Sequence, residues 1–412
     1  MVDVAAEPSD RRPSGPLTGI RVLALEQMQA LPFATQLLAR LGADVVKVEP
    51  PGGELGRSSQ PSVPDPEGRA MGATFLRNNL GKRSICIDLK NPRGRQLVLD
   101  LAPHFDVVAE NFRAGAMTRL GLGFEDVVAA HPRCVYVSVS GFGNVTDSPY
   151  RDRPAFAPIV EAMSGIYAMK QKGDQPPEAS PMGGLGDIGA ALFATVGLLA
   201  ALRERDRTGQ AQFVDVAMYD SVLAMTDIVS NFWSMGLKNG EVGPLINNGF
   251  RAGDGWIIVQ VTREHYFERL AEIVGHPEWT SDPRLATRQG WVDHLEDVIR
   301  PAIEQWAAHK TREQACAELG AAGIAAGPCL RDEELPGDAH VVAHHMLVGI
   351  ERPRGGGGPV LTPGNPVRIH TAPGTPDTRV PWVGENTDDI LVKELGLSAD
   401  EVAALRAGRV VA

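Results

Sequence analysis

Basic residues are the minority charge in this chain: 40 Lys and Arg against 51 Asp and Glu leave a formal net charge of −11. A nucleic-acid or membrane-surface binder shows a broad basic face, so the deficit argues against both kinds of partner. Cysteine is scarce too. Cys86, Cys134, Cys316 and Cys329 have neither metal-ligand nor CxxC spacing, and read as buried thiols in a reducing compartment. The longest uncharged apolar stretch, 188–202, is about fifteen residues and too short to span a bilayer. Residues 1–16 are polar and lack an apolar h-region, so a disordered lead-in is expected there, not a signal peptide. A cytoplasmic protein follows. Familiar catalytic motifs are missing as well. There is no Gly-x-Ser-x-Gly elbow. Gly81-Lys82-Arg83-Ser84 lacks the leading glycine of a P-loop, with Leu76 in its place. His340 and His344 are four apart, yet no Glu follows His340 as a metalloprotease motif requires, so no metal site is expected.

What is present is alternation. Aliphatic runs at 19–25, 44–49, 84–89, 106–110 and 134–140 read as buried strands, and helical spacing fills 32–41, 92–105 and 124–130. Strand–helix alternation predicts an α/β, doubly wound domain with a parallel sheet and ligands at the carboxyl ends of its strands. The loops to search are therefore 26–32, 49–57, 90–91, 111–119 and 141–158. A further strand is expected at 212–217 and a helix at 219–235. From Gly249 the texture changes, and 240–328 reads as a smaller α+β domain with a strand at 256–261 and helices at 265–274, 291–308 and 312–322. The glycine run at 355–358 reads as a hairpin turn, and 398–407 as a last helix.

The centre of the chain is Gly183-Gly184-Leu185-Gly186-Asp187, opening a helix so apolar that full burial in a large core is expected. Asp187 stands where backbone N–H groups are free. It is either an N-cap, the commoner use of Asp there, or a carboxylate displayed to a ligand on open backbone. Gly184-x-Gly186-x-x-Gly189 fits a dinucleotide fingerprint, but no strand precedes it and Asp187 would repel a pyrophosphate. Glu161, Glu178 and Asp174 flank this turn and read as solvated loop charges. A basic set follows the strand ends: Arg57, Lys82, Arg83, Lys90, Arg113 and Arg119. Converging on one rim of an acidic protein, they would suit a phosphorylated ligand.

Several segments resemble the class III CoA-transferase family (formyl-CoA/carnitine-CoA transferase-like). They include Leu41-Gly-Ala-Asp-Val-Val-Lys-Val-Glu-Pro-Pro51, Asn79-Leu-Gly-Lys-Arg-Ser-Ile-Cys-Ile-Asp-Leu-Lys90 and Asp106-Val-Val-Ala-Glu-Asn-Phe-Arg-Ala-Gly115. Ser140-Gly-Phe-Gly143, Thr208-Gly-Gln210 and Val383-Gly-Glu-Asn-Thr387 extend the likeness in order along the chain. The resemblance implies a Rossmann-like large domain made by 17–225 and a C-terminal return at 329–412, a small domain at 240–328, and two chains interlocked as a homodimer. It implies a transferase of acyl-CoA metabolism, moving CoA between an acyl-CoA and a free carboxylic acid, with coenzyme A as substrate and no permanently bound cofactor. By it, Asp187 is the nucleophile and Gln29 stands near the thioester. Ile87, Asp88, Leu89, Lys90, Asn111, Phe112, Arg113 and Arg119 hold the CoA nucleotide and phosphates. The helix N-terminus is expected to keep Asp187 ionised. The chain departs from the family at Leu31, usually Gly, and at Pro50, where a basic residue sometimes stands. It also lacks a glycine-rich flap near 245–249. The α-methylacyl-CoA racemase branch needs a His-Asp pair where Phe156 and Ala157 stand, which removes its acid–base machinery. A non-catalytic CoA-binding protein, with Asp187 only a cap, is the other alternative. Arg151 and Arg153 lie where the family varies near the acyl group. They would meet a second carboxylate, as on a dicarboxylic CoA ester, or decorate a solvated loop.

Overall fold

The computed structural model describes residues 3–7, 14–171, 173–180, 182–236, 243–372, 374 and 376–412. It divides into two compact units, Met1–Asn231 with Ala339–Ala412, and Phe232–Asp338. The first is built on strands with no polar alternation, which suits burial on both faces of a parallel sheet. They are β1 (Arg21–Leu25), β2 (Asp44–Glu49), β3 (Arg83–Cys86), β4 (Val107–Glu110), β5 (Val135–Ser140) and β6 (Gln212–Ala217). The six lie in the order 3-2-1-4-5-6, and every neighbouring pair is parallel. That order reverses between β1 and β4, and the loops leaving those two strands diverge there into a ready crevice.

Helices connect the strands: α1 (Ala30–Arg40) after β1, α2 (Pro92–Leu101) after β3 and α3 (Phe124–Ala130) after β4. α2 begins where its sequence marks it. The Asn91 side chain accepts the Arg93 N–H and Pro92 opens the first turn. Between β5 and β6 come α4 (Ala157–Met163) and α5 (Leu185–Thr208), the helix of the glycine turn. α5 starts at Gly184 (φ +109°) and stops at Gly209 (φ +73°), both left-handed positions that favour glycine.

Two expectations about α5 need correction. It is not buried all round: Ala190, Ala191, Ala194 and Leu198 enter the core, but Leu192, Phe193, Val196 and Leu199 are exposed, Val196 by 66%. Nor is it short. At 24 residues it is long and apolar enough to cross a membrane, although a core helix meets the same criteria. The helix expected at 219–235 is also shorter, α6 (Met218–Ala224) followed by a separate widened turn at Ile228–Trp233.

The second unit has its own core. The antiparallel sheet β7 (Ile246–Ala252), β8 (Gly255–Val261) and β9 (Ala325–Pro328) joins α7 (Glu264–Ile273), α8 (Arg300–Ala307) and α9 (Arg312–Ala321). Phe267 stacks between Trp279 and Trp291, at 5.7 and 4.4 Å between ring centroids. Residue 240, the expected start of the small domain, lies outside the described residues.

From Ala339 the chain is back in the first unit. β10 (Leu347–Ile350) and β11 (Val360–Pro363) pair antiparallel around the glycine run. Asp3–Val4 pairs with β10, so this part of the expected lead-in carries structure; 1–2 and 8–13 lie outside the described residues. Then follow α10 (Thr387–Leu395) and α11 (Ala399–Ala407). Ser84 and Asn386 exchange hydrogen bonds at 3.0 and 2.9 Å, and the Asp88 N–H donates to the Val410 carbonyl at 2.9 Å. The return thereby covers the open edge of β3.

Candidate active site

The crevice is built from charges buried below it. Glu26, immediately after β1, accepts from Lys82 Nζ at 2.6 Å and from the Thr35 hydroxyl at 2.7 Å. Lys82 also donates to the Asn79 side chain and the Pro32 carbonyl, both at 2.9 Å. Burial, partly offset by Glu26, brings the Lys82 ammonium down to about 8. Beside it Lys47 lies 3.6 Å from Glu26 and Glu54, and Arg57 pairs with Glu49 at 2.6 Å. Three acidic and three basic groups balance, as buried charges must.

Three residues of the expected basic rim therefore have no part in a rim. Arg57 and Lys82 are buried in ion pairs, and Arg83 is turned onto Asp44 at 2.5 Å. Sequence spacing does not reveal pairs closed between separate strands.

This base fixes the loop 27–29. The Asn111 side chain accepts the Gln27 N–H and donates to the Gln27 carbonyl, each at 2.9 Å, tying the ends of β1 and β4 together. Glu54 accepts the Met28 N–H at 3.0 Å. Met28 is held at φ +62°, a left-handed conformation that costs a non-glycine residue about 1–2 kcal/mol. Gln29 follows, with its buried Nε2 unpartnered among the described residues.

Asp187 comes from the first turn of α5. It is not the cap of that helix: Gly184 holds the N-cap position and no side chain of the turn caps it. The Gly186 N–H is taken by Glu161 from α4, at 2.9 Å. Burial first, and the Glu161 charge second, push the Asp187 carboxyl up to about 6. At about 6 the carboxyl still ionises at neutral pH, and burial and the Glu161 charge work against the help expected from the helix N-terminus. Glu161 is itself 1% exposed, which overturns its reading as a solvated loop charge. Its signal was available: within 157–164 it falls on the same apolar stripe as Ala157, Val160 and Ser164.

A Cβ on Gly184 would stand 2.5 Å from Gln29 Nε2 and 3.2 Å from Asp187 Oδ2. The amide and the carboxylate therefore converge on one bare stretch of backbone. Both line a cavity of about 230 Å³ with Asn111, Phe112, Arg113, Arg151 and Arg153. A second cavity, about 310 Å³, is lined by Ile87, Asp88, Leu89, Lys90, Phe112 and Leu120. The two share Gln27, Leu55 and Phe112. Of the expected binding residues only Arg119 lines neither; it is exposed on the short helix Ala116–Arg119. Among the described residues no cluster of His, Cys, Asp and Glu has the form of a metal site.

A parallel sheet of this order, with polar groups gathered in the crevice of its reversal, defines a Rossmann-like α/β protein with a ligand site at the strand ends. The chain belongs to CoA-transferase family III, whose family model matches residues 17–387, and it is a CoA-transferase. It is 37% identical to the succinyl-CoA–D-citramalate CoA-transferase of Chloroflexus aurantiacus, over 98% of this chain and all of that one. It is 33% identical to the formyl-CoA:oxalate CoA-transferase of Streptomyces avermitilis, over 96% of this chain and 99% of that one. The succinyl-CoA:mesaconate CoA-transferase of Haloarcula hispanica is also 33% identical, over 92% and 96%. The crystal structure of a CaiB/BaiF family protein from Brucella suis superposes with a TM-score of 0.80 at 30% identity, covering 92% of this chain and all of that one.

Proposed function

We propose that the protein exchanges CoA between a dicarboxylic acyl-CoA and a free acid, with Asp187 as nucleophile. One observation carries the mechanism: Asp187 and the unpartnered Gln29 amide meet on glycine backbone inside a cavity. A carboxylate oxygen attacks the thioester carbonyl carbon; the C–S bond breaks, CoA leaves as thiolate, and an aspartyl–acyl anhydride remains. The thiolate attacks the aspartyl carbonyl of that anhydride, the C–O bond breaks, and the donor acid departs as carboxylate from an aspartyl-CoA thioester. The acceptor carboxylate then attacks this thioester, and the returning thiolate takes the acceptor acyl group, freeing Asp187. No net proton moves and no metal is needed. Gln29 Nε2 donates to the oxygen that becomes negative in each tetrahedral step. A carboxyl held near 6 is ionised at neutral pH yet more basic than an exposed aspartate, which favours attack.

Lys90 and Arg113 are exposed side chains along the two cavities and would meet the phosphates of CoA, with Arg119 beyond them. Arg151 and Arg153 line the same cavity as Asp187, and the Arg153 guanidinium carbon stands over the Tyr150 ring, 4.4 Å from its centroid. They are suited to a distal carboxylate, a reading supported by the citramalate and mesaconate named for two relatives. The exposed apolar face of α5 supports a homodimer. The racemase alternative finds only Phe156 and Ala157 where its acid and base would stand. We infer a cytoplasmic enzyme with acyl-CoA as substrate and no resident cofactor.

The test is to incubate the protein with succinyl-CoA and acceptor acid, quench, and map the peptide carrying added mass. A succinyl or CoA adduct on Asp187, and loss of turnover by about 10³-fold in Asp187→Asn, are expected. Turnover surviving in deamidation-free Asp187→Asn would show that Asp187 is not the nucleophile.

A further inference from the structure

Glu161 is a carboxylate with no solvent and two ties. Oε1 accepts the Gly186 N–H at 2.9 Å, and Oε2 accepts the Tyr167 hydroxyl at 2.5 Å. Gly186 precedes Asp187 and belongs to the same helical turn. It has no Cβ because one would lie 2.9 Å from Val160 and 3.3 Å from Ala157, both on α4. α4 and the head of α5 are thus pressed together at a glycine, and Glu161 supplies the acceptor that the turn's own N-cap, Gly184, lacks.

We propose that Glu161 is a positioning residue: anchored by Tyr167, it caps α5 from a neighbouring helix and so fixes the turn that aims Asp187 into the cavity. This rests on Asp187 being the nucleophile. A cap supplied from α4 leaves the Asp187 oxygens free of that duty. An aspartate spent on its own helix N–H groups would have to break those bonds before attacking.

The same arrangement puts a second negative charge behind the nucleophile, and like charges disfavour each other's ionisation. The other charged groups around the cavity are Arg113 after β4 and Arg151 and Arg153 ahead of α4; α1 contributes Ala30 and α6 Met218, neither charged. Glu161 is the one among these that raises the Asp187 carboxyl.

Glu161→Gln separates geometry from charge. Its side-chain carbonyl still accepts from Gly186, and its NH₂ donates to the Tyr167 oxygen. We expect near-normal kcat at pH 8, with the acid limb of kcat/KM moved down by about half a pH unit or more. Glu161→Ala removes the cap; kcat falls at least about tenfold with KM for acyl-CoA changed less than threefold. An acid limb unmoved in Glu161→Gln overturns the proposal, as does unchanged kcat in Glu161→Ala. Adduct mapping keeps the two readings apart. A mapped Asp187 adduct with an unmoved limb defeats Glu161 alone, whereas turnover in Asp187→Asn defeats the nucleophile and this proposal together.

Discussion

Asp187 occupies a position that does not favour the fold. Its carboxyl is held at about 6 in the native state against an ordinary 3.8, so the folded chain binds protons more tightly than the unfolded one. Stability therefore falls as pH rises from about 4 to about 6, and the loss persists above. Asp187→Asn removes it. That variant should be more stable than the parent by about 1–2 kcal/mol at pH 7.5, the gap closing below about pH 4, as read by urea unfolding. Equal stability at all pH, the behaviour of a simple cap, would refute this. Gly184 makes the complementary case. Alanine there meets both a left-handed φ of +109° and the Gln29 amide at 2.5 Å. Gly184→Ala should lower stability by about 1–2 kcal/mol and turnover by about 10²-fold or more, measured by thermal melts beside steady-state kinetics. The sequence carries the reason for Gly184 only as a glycine in a turn. That its missing Cβ makes room for an amide 155 positions earlier is a fact of folding.

Elements were legible in proportion to how local their causes are. β2, β6 and α3 fall where aliphatic runs and turn residues put them, to the residue. The stretch read as one helix over 291–308 is instead Arg288–Asp293, a widened turn at Leu295–Ile299, and α8. Pro301 lacks an N–H and starts α8 in its first turn, so the break was written there, but apolar periodicity runs through it unchanged. α5 was misread for a different reason. A helix apolar on every side can bury one face in its own chain and the other in a partner's, and periodicity cannot say which. Phe193, Val196 and Leu192 form that outward face, 41, 66 and 47% exposed. Were the protein the proposed homodimer, Val196→Asp should convert it into monomer by sedimentation velocity while leaving the far-UV spectrum unchanged. A parent protein that already sediments as a monomer would remove the homodimer from the proposal.

The molecule's charge has the same character as its parts: an acidic surplus of −11 whose site cations are few and local. Reading each Lys and Arg alone gave a rim of six, and pairing across strands left Lys90, Arg113 and Arg119 outside ion pairs among the described residues. Charge balance is settled between elements far apart in sequence, which is why composition alone could not sort site cations from buried ion pairs. Core formation, in contrast, divides along the chain. In the first unit α1 and α2 cover opposite faces of the sheet, while Phe232–Asp338 closes its own core around Phe267, Trp279, Trp291 and Leu319. A segment of about a hundred residues with one contiguous core is within the range that folds alone. Expressed as a separate chain, 232–338 should unfold cooperatively in urea, with blue-shifted tryptophan emission from the buried Trp279 and Trp291. A non-cooperative transition with solvent-exposed emission would mean that this core depends on the rest of the chain, and that the division into two folding units is wrong.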